Sequence, residues 1–133
     1  MDDKWRTVTI LFPVFVFLQV LHIFEEIWAQ IYVISPFKSL MPYLIAASFV
    51  LMASLLFQMG VLLKARWAII GAGVVLTITG IYNPIIHGIG WAITSQYFQG
   101  IGAGIFTGIP MMIFSWFLLG KVINVLINKA TVC

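Results

Sequence analysis

Two short stretches of this chain carry groups that can do chemistry. In HIFEE, His22, Glu25 and Glu26 fall close together; in NPIIH, Asn83 and His87 stand four residues apart. The chain holds only four acidic residues and two histidines, so these stretches take half of the first and all of the second. Two imidazoles and two carboxylates form a ligand set for a divalent metal such as zinc or iron. The same groups suit general acid–base work. The expected metal ligands are His22, Glu26 and His87. The expected catalytic residues are Glu25, Glu26 and Asn83, with Asn83 orienting substrate or a histidine.

Helical phase groups these residues. A helix advances about 100° per residue, so with His22 at zero, Glu26 lies about 40° to one side and Glu25 about 60° to the other. Gln19 and Gln30 join the Glu26 side, at about 60° and 80°. The rest of this segment is nearly all apolar. A polar stripe of this kind faces other helices or a wet cavity rather than lipid. Asn83 and His87 share a second face, and Thr79 lies one turn earlier. Pro84 withholds the hydrogen bond to the carbonyl of Gly80, which predicts a kink and an irregular backbone next to the site.

The elements that position these residues are membrane helices. The chain is 62% hydrophobic and 8% charged, with mean hydropathy +1.11. Soluble domains are about half apolar and a quarter charged. A spanning helix needs about 20 residues, so 133 residues predict an all-α, four-transmembrane-helix bundle in one domain. The expected spans are 7–34, ending before Pro36 with Ser35 held out of helix, then 42–63, 67–93 and 97–127. The basic residues before the first span resemble a signal peptide, but Glu25 and Glu26 interrupt the apolar run and point to a retained helix.

The charges predict an orientation. Lys4, Arg6, Lys64, Arg66, Lys121 and Lys129 fall on one side of such a bundle, and Lys38 alone on the other. The positive-inside rule then puts both termini in the cytoplasm. Trp5, Trp67 and Trp116 fall near the inner boundary; Trp28, Tyr32, Tyr43, Trp91 and Tyr97 fall near the outer one. On this frame, HIFEE lies roughly 2 to 8 Å outward of the bilayer middle and NPIIH roughly 5 to 10 Å outward. The two can meet in the outer half of the membrane. An isolated carboxylate near the bilayer centre costs about 2.5–3.5 kcal/mol, and no Lys or Arg lies at that depth. The compensating charge is therefore a proton, a histidine or a metal. The bland alternatives are glutamates that snorkel to the interface, a packing histidine at position 87, and an asparagine at 83 that ties the backbone.

The remaining features bound the function. GIGAGIFTG in the fourth span puts Gly100, Gly104 and Gly108 on one helical face, a spacing for close packing within the chain or in a homodimer. Pro110 is expected to bend the last span. The lone Cys133 excludes an internal disulfide. The thinly spread basic residues make no nucleic-acid patch, and no nucleotide loop is present.

The pairing of HIFEE with NPIIH resembles a family of small bacterial integral membrane proteins named for an HXXEE motif, which carry it early and an NxxxH motif later. The resemblance extends to length and hydropathy and implies a location in the bacterial plasma membrane. It implies an enzymatic site but supplies no substrate. The expected function is an intramembrane enzyme acting on a lipidic or amphiphilic substrate, by metal-dependent or acid–base chemistry, as a hydrolase or isomerase. The alternatives are a proton-coupled small-molecule transporter using Glu25 or Glu26, and a non-catalytic factor that binds lipid or a partner.

Overall fold

The protein is all-helical in the computed structural model, which describes residues 3–34 and 36–130, with side chains as far as residue 127. Ser35 and Cys133 lie outside the described residues. Four helices are long and apolar enough to cross a membrane: Asp3–Trp28, Leu40–Leu62, Arg66–Thr94 and Ile105–Ile127. We label the first two α1 and α2. The third consists of α3 (Arg66–Val75), a π-helical stretch Leu76–Tyr82, and α4 (Asn83–Thr94). The last is α5 (Ile105–Ala130).

The links are built by residues that leave helix deliberately. α1 ends earlier than its apolar run, at Trp28, because Gln30 turns left-handed (φ 59°) and a 3₁₀ turn, Ile31–Val33, follows. The α2–α3 link is a Schellman motif: Lys64 adopts φ 58°, its N–H reaches Val61 O, and Ala65 N–H reaches Gly60 O at 2.9 Å. Those bonds close the last α2 carbonyls and fold α3 tightly back.

The fourth span departs most from the sequence expectation. Residues 97–104 are turn rather than helix, and α5 begins at Ile105. Gln99 (φ 52°) and Gly104 (φ 94°) take left-handed conformations that break any helix there. Gly100 and Gly104 therefore precede α5 and share no helical face with Gly108. All three are buried against the chain itself; a Cβ at Gly104 would meet the His22 ring at 2.7 Å, and one at Gly108 would meet Pro84 at 3.1 Å.

Along its length, the bundle changes character. One half is a dry core of Trp5, Val8, Phe12 and Phe15 from α1, Val61, Ala68, Ile69 and Leu76, and Met111, Leu118, Val122 and Val125 from α5. Trp5 Nε1 donates to Val61 O at 2.8 Å and pins α1 to the end of α2. In the other half the buried residues of α1 become Gln19, His22, Glu25 and Glu26. Outward positions such as Phe17, Phe24, Phe49 and Phe106 are more than half exposed, as a lipid-facing surface requires.

The π stretch joins the two halves. Asn83 N–H bonds Ile78 O, five residues back. The widened turn gives the Pro84 ring room against the preceding turn, which an α-helix would deny it. Gly80 lies in this stretch, where α5 approaches: a Cβ there would sit 2.1 Å from Ser115 Oγ, 2.7 Å from its Cβ and 2.9 Å from the Phe15 ring.

Gly80→Ala is predicted to destabilise the bundle by about 1–3 kcal/mol, the usual range for overpacking. Gly88→Ala, whose Cβ meets nothing within 4 Å, should leave the thermal midpoint in detergent unchanged or slightly raised. Equal midpoints for the two variants would contradict this close packing.

Candidate metal centre

The two sequence clusters meet. His87 Nε2 lies 2.9 Å from Glu26 Oε1, and His22 Nε2 lies 3.6 Å from the same oxygen. Asn83 Nδ2 donates to His22 Nε2 at 3.0 Å, and the two imidazoles stand edge to face with centroids 5.3 Å apart. His22, Glu26 and His87 are all buried, and one ligand atom from each lies within 4.8 Å of the others. The group could hold a metal ion.

The proton positions of both imidazoles follow from their other partners. His87 Nδ1 lies 2.7 Å from Ile101 O, a pure acceptor, so this nitrogen carries the hydrogen. Thr107 Oγ1 gives its one proton to Glu25 Oε2 in a short contact. It must then accept from His22 Nδ1 at 3.1 Å. His22 is thus the Nδ1–H tautomer, its Nε2 accepting from Asn83, while His87 carries a hydrogen on Nδ1 and turns Nε2 to Glu26 Oε1. The second Glu26 oxygen takes a short hydrogen bond from the Tyr43 hydroxyl. His87 Nε2 is buried and faces Glu26 Oε1. An imidazole nitrogen this close to a carboxylate oxygen requires a proton or a cation between them. Outer partners that hold Nδ1–H are also what orients metal-binding histidines.

Glu25 goes elsewhere. Its carboxylate accepts from Phe106 N–H at 3.1 Å, Thr107 N–H at 2.7 Å, the Thr107 hydroxyl and the Tyr97 hydroxyl at 2.6 Å. These amides belong to the first turn of α5, whose donors have no partners inside the helix. Glu25 caps that helix from another span, where the helix dipole also favours a negative charge. Of the expected catalytic set, Glu26 and Asn83 are at the centre. Glu25 touches it only through Thr107 and His22. Burial and the adjacent Glu25 carboxylate push the Tyr97 hydroxyl up from its usual pKa, so it remains a donor through the neutral range.

Gln19, one turn below His22, donates to Thr79 Oγ1 at 3.0 Å and accepts from Ser54 Oγ at 2.8 Å. Gln30 lies outside the stripe, beyond the end of α1, and accepts from Gln99 Nε2 at 2.7 Å. Tyr43, Thr107, Tyr97 and Ser54 were not singled out as site residues from sequence. Their one legible signal is a hydroxyl in an apolar segment, a pattern shared by Thr77 and Ser48, which bond only their own helix.

A cavity of about 460 Å³ opens beside the cluster. Its walls include His22 and Glu26 of α1, Tyr43, Ala46, Ala47 and Val50 of α2, and Ile78, Tyr82, Asn83 and His87 of the third span.

Glu25→Ala should leave the first-turn amides of α5 uncapped. Hydrogen bonds to a charged group are worth about 1.5–3 kcal/mol, so amide exchange at Phe106 and Thr107 is expected to accelerate at least about tenfold, with mid-α1 amides unaffected. Unchanged exchange at those two amides would remove the capping role.

Comparison with known proteins returned no match: no family model, no curated protein and no solved structure matches this chain.

Proposed function

We propose that the protein is an intramembrane metal-dependent enzyme acting on a lipidic or amphiphilic substrate, with His22, Glu26 and His87 holding a zinc or iron ion. One observation carries this reading: two buried imidazole Nε2 atoms, of His87 and His22, lie 2.9 and 3.6 Å from one Glu26 oxygen, and each ring is held by a partner on Nδ1. The two carboxylate–imidazole separations fit a metal-bound geometry. Tetrahedral coordination with bonds of about 2.0–2.1 Å spaces ligand atoms roughly 3.3 Å apart. The observed Glu26–His separations of 2.9 and 3.6 Å bracket that value. The histidine–histidine–carboxylate set leaves a fourth position for water or substrate.

When bound, such an ion supplies Lewis acidity toward a substrate carbonyl or a bound water. The chain's own residues do the rest. Tyr43 holds the outer oxygen of Glu26 and leaves Oε1 facing inward. Ile101 O and the Glu25–Thr107 pair hold the rings. Asn83 donates to His22 Nε2; were an ion held at that nitrogen, the Asn83 amide would be available to orient a substrate. The dry packing on the core side keeps bulk water from entering through that half of the bundle.

The 2.9 Å separation of His87 Nε2 and Glu26 Oε1 also favours a second reading. It is a hydrogen-bond length, so a shared proton can link the pair for acid–base chemistry without metal. On the resemblance of HIFEE and NPIIH to the HXXEE proteins, and on the charge asymmetry, we place the chain in a bacterial plasma membrane with both termini cytoplasmic and the site in the outer half of the bilayer.

Purified protein is expected to contain near-stoichiometric zinc or iron by mass spectrometry. His22→Ala and His87→Ala should each lose it. Tyr43→Phe, which removes an outer partner, should weaken binding by about 10–100-fold. Metal-free wild-type protein that takes up no added zinc would refute the metal reading and leave the proton-shared pair.

A further inference from the structure

The cavity beside the cluster has a direction. α2 and the third span pack tightly along α3, next to the Lys64 link, but α2 makes little contact with the π stretch or α4. The two helices diverge, and α1 forms the floor between them. The α2 side of the gap carries Tyr43, Ala46, Ala47 and Val50, residues three or four apart and so on one face. The two alanines are small and leave the space open. Across the gap stand Ile78, Tyr82 and Ile86, which both line the cavity and are at least two-fifths exposed. The opening is therefore lateral, on the flank of two helices apolar enough to span a membrane.

The two ends differ. Ile31, Phe37 and Ile101 belong to the links at the end of the bundle, whereas Val50, Ile78 and Gln19 lie further along the spans. His22, Glu26 and His87 lie between these ends. No Lys or Arg lines the cavity. At roughly 30 Å³ per water-sized group, 460 Å³ holds about fifteen heavy atoms. That is room for one short chain segment and a small head inside the cleft.

We propose that this cleft binds a single-chain amphiphile drawn sideways from the membrane, with its hydrocarbon chain between Ala46, Ala47, Val50 and Ile78 and its head–chain junction at His22, Glu26 and His87. This assignment rests on the functional reading above for the junction, but the chain groove stands on its own residues. Hydrogen bonds from groups such as Asn83, rather than ion pairs with basic residues, hold the head.

A monoacylglycerol bearing a mid-chain diazirine, photolysed with the full-length protein in nanodiscs, tests this. Labelling is expected on peptides carrying Ala46–Val50 and Ile78–Tyr82, at least about tenfold above that on the outward Phe17–Phe24 surface. Ala47→Trp should lower groove labelling at least about tenfold with metal content and thermal midpoint retained. If that variant misfolds, excess unlabelled monoacylglycerol displacing the label from wild-type protein serves the same purpose. Uniform labelling of all lipid-facing surfaces, or groove labelling that neither Ala47→Trp nor competitor reduces, overturns the proposal. A cross-linked dimer through these peptides, showing a second copy in the cleft, also overturns it. Specific groove labelling in protein that binds no metal sustains the chain site while refuting the metal reading.

Discussion

A carboxylate placed among apolar helices must find donors or a positive charge, because hydrocarbon offers neither. Glu25 and Glu26 are adjacent in sequence and answer that demand in opposite ways. Glu25 is met by the amides opening α5 and by two hydroxyls, so its charge is spent on structure. Glu26 is met by one tyrosine hydroxyl and faces the Nε2 atoms of two imidazoles. Its demand is left partly open. The positions of α4 and α5 around α1 follow from these two answers: α5 starts where Glu25 can cap it, and α4 is phased to bring His87 to Glu26.

The arrangement also divides labour along the bundle. The apolar half, from Trp5 and Val61 to Phe15 and Met111, is held by side-chain packing and by the buried Trp5–Val61 hydrogen bond. It can hold the helices together while the other half carries a cavity and the His–Glu cluster. Burying an ionic cluster is weak evidence of stability, since desolvation offsets much of the attraction.

Much of this was legible in the sequence. Four apolar segments separated by turn and charge signals read directly as spans. The 100° phase of His22 and Glu26, and the four-residue spacing of Asn83 and His87, placed each pair on one face. Pro84 announced irregular backbone. What the sequence could not supply was which helix lies against which side of α1. His22 has a carboxylate on each flank, and spacing alone treats Glu25 and Glu26 alike; only the docking of α5 separates them. The start of α5 was hidden for a related reason. GIGAGIFTG has helical spacing of small residues, but its first donors are satisfied by a carboxylate some eighty residues earlier, a tertiary contact with no local signature. Tyr43 and Thr107 were hidden because one hydroxyl in an apolar helix looks the same whether it bonds its own backbone or a glutamate elsewhere.

The π stretch has a consequence for how the two halves are kept in step. A π turn holds about one residue more than an α turn, and one residue is worth about 100° of rotation. Upstream of it the third span presents Ile69 and Ala72 to the dry core; downstream it presents Asn83 and His87 to α1. The surplus residue acts as a vernier between two faces that an uninterrupted helix would hold at a different angle. Alignment of the polar half is thereby decoupled from the packing of the apolar half, so each could drift in sequence without dragging the other out of phase.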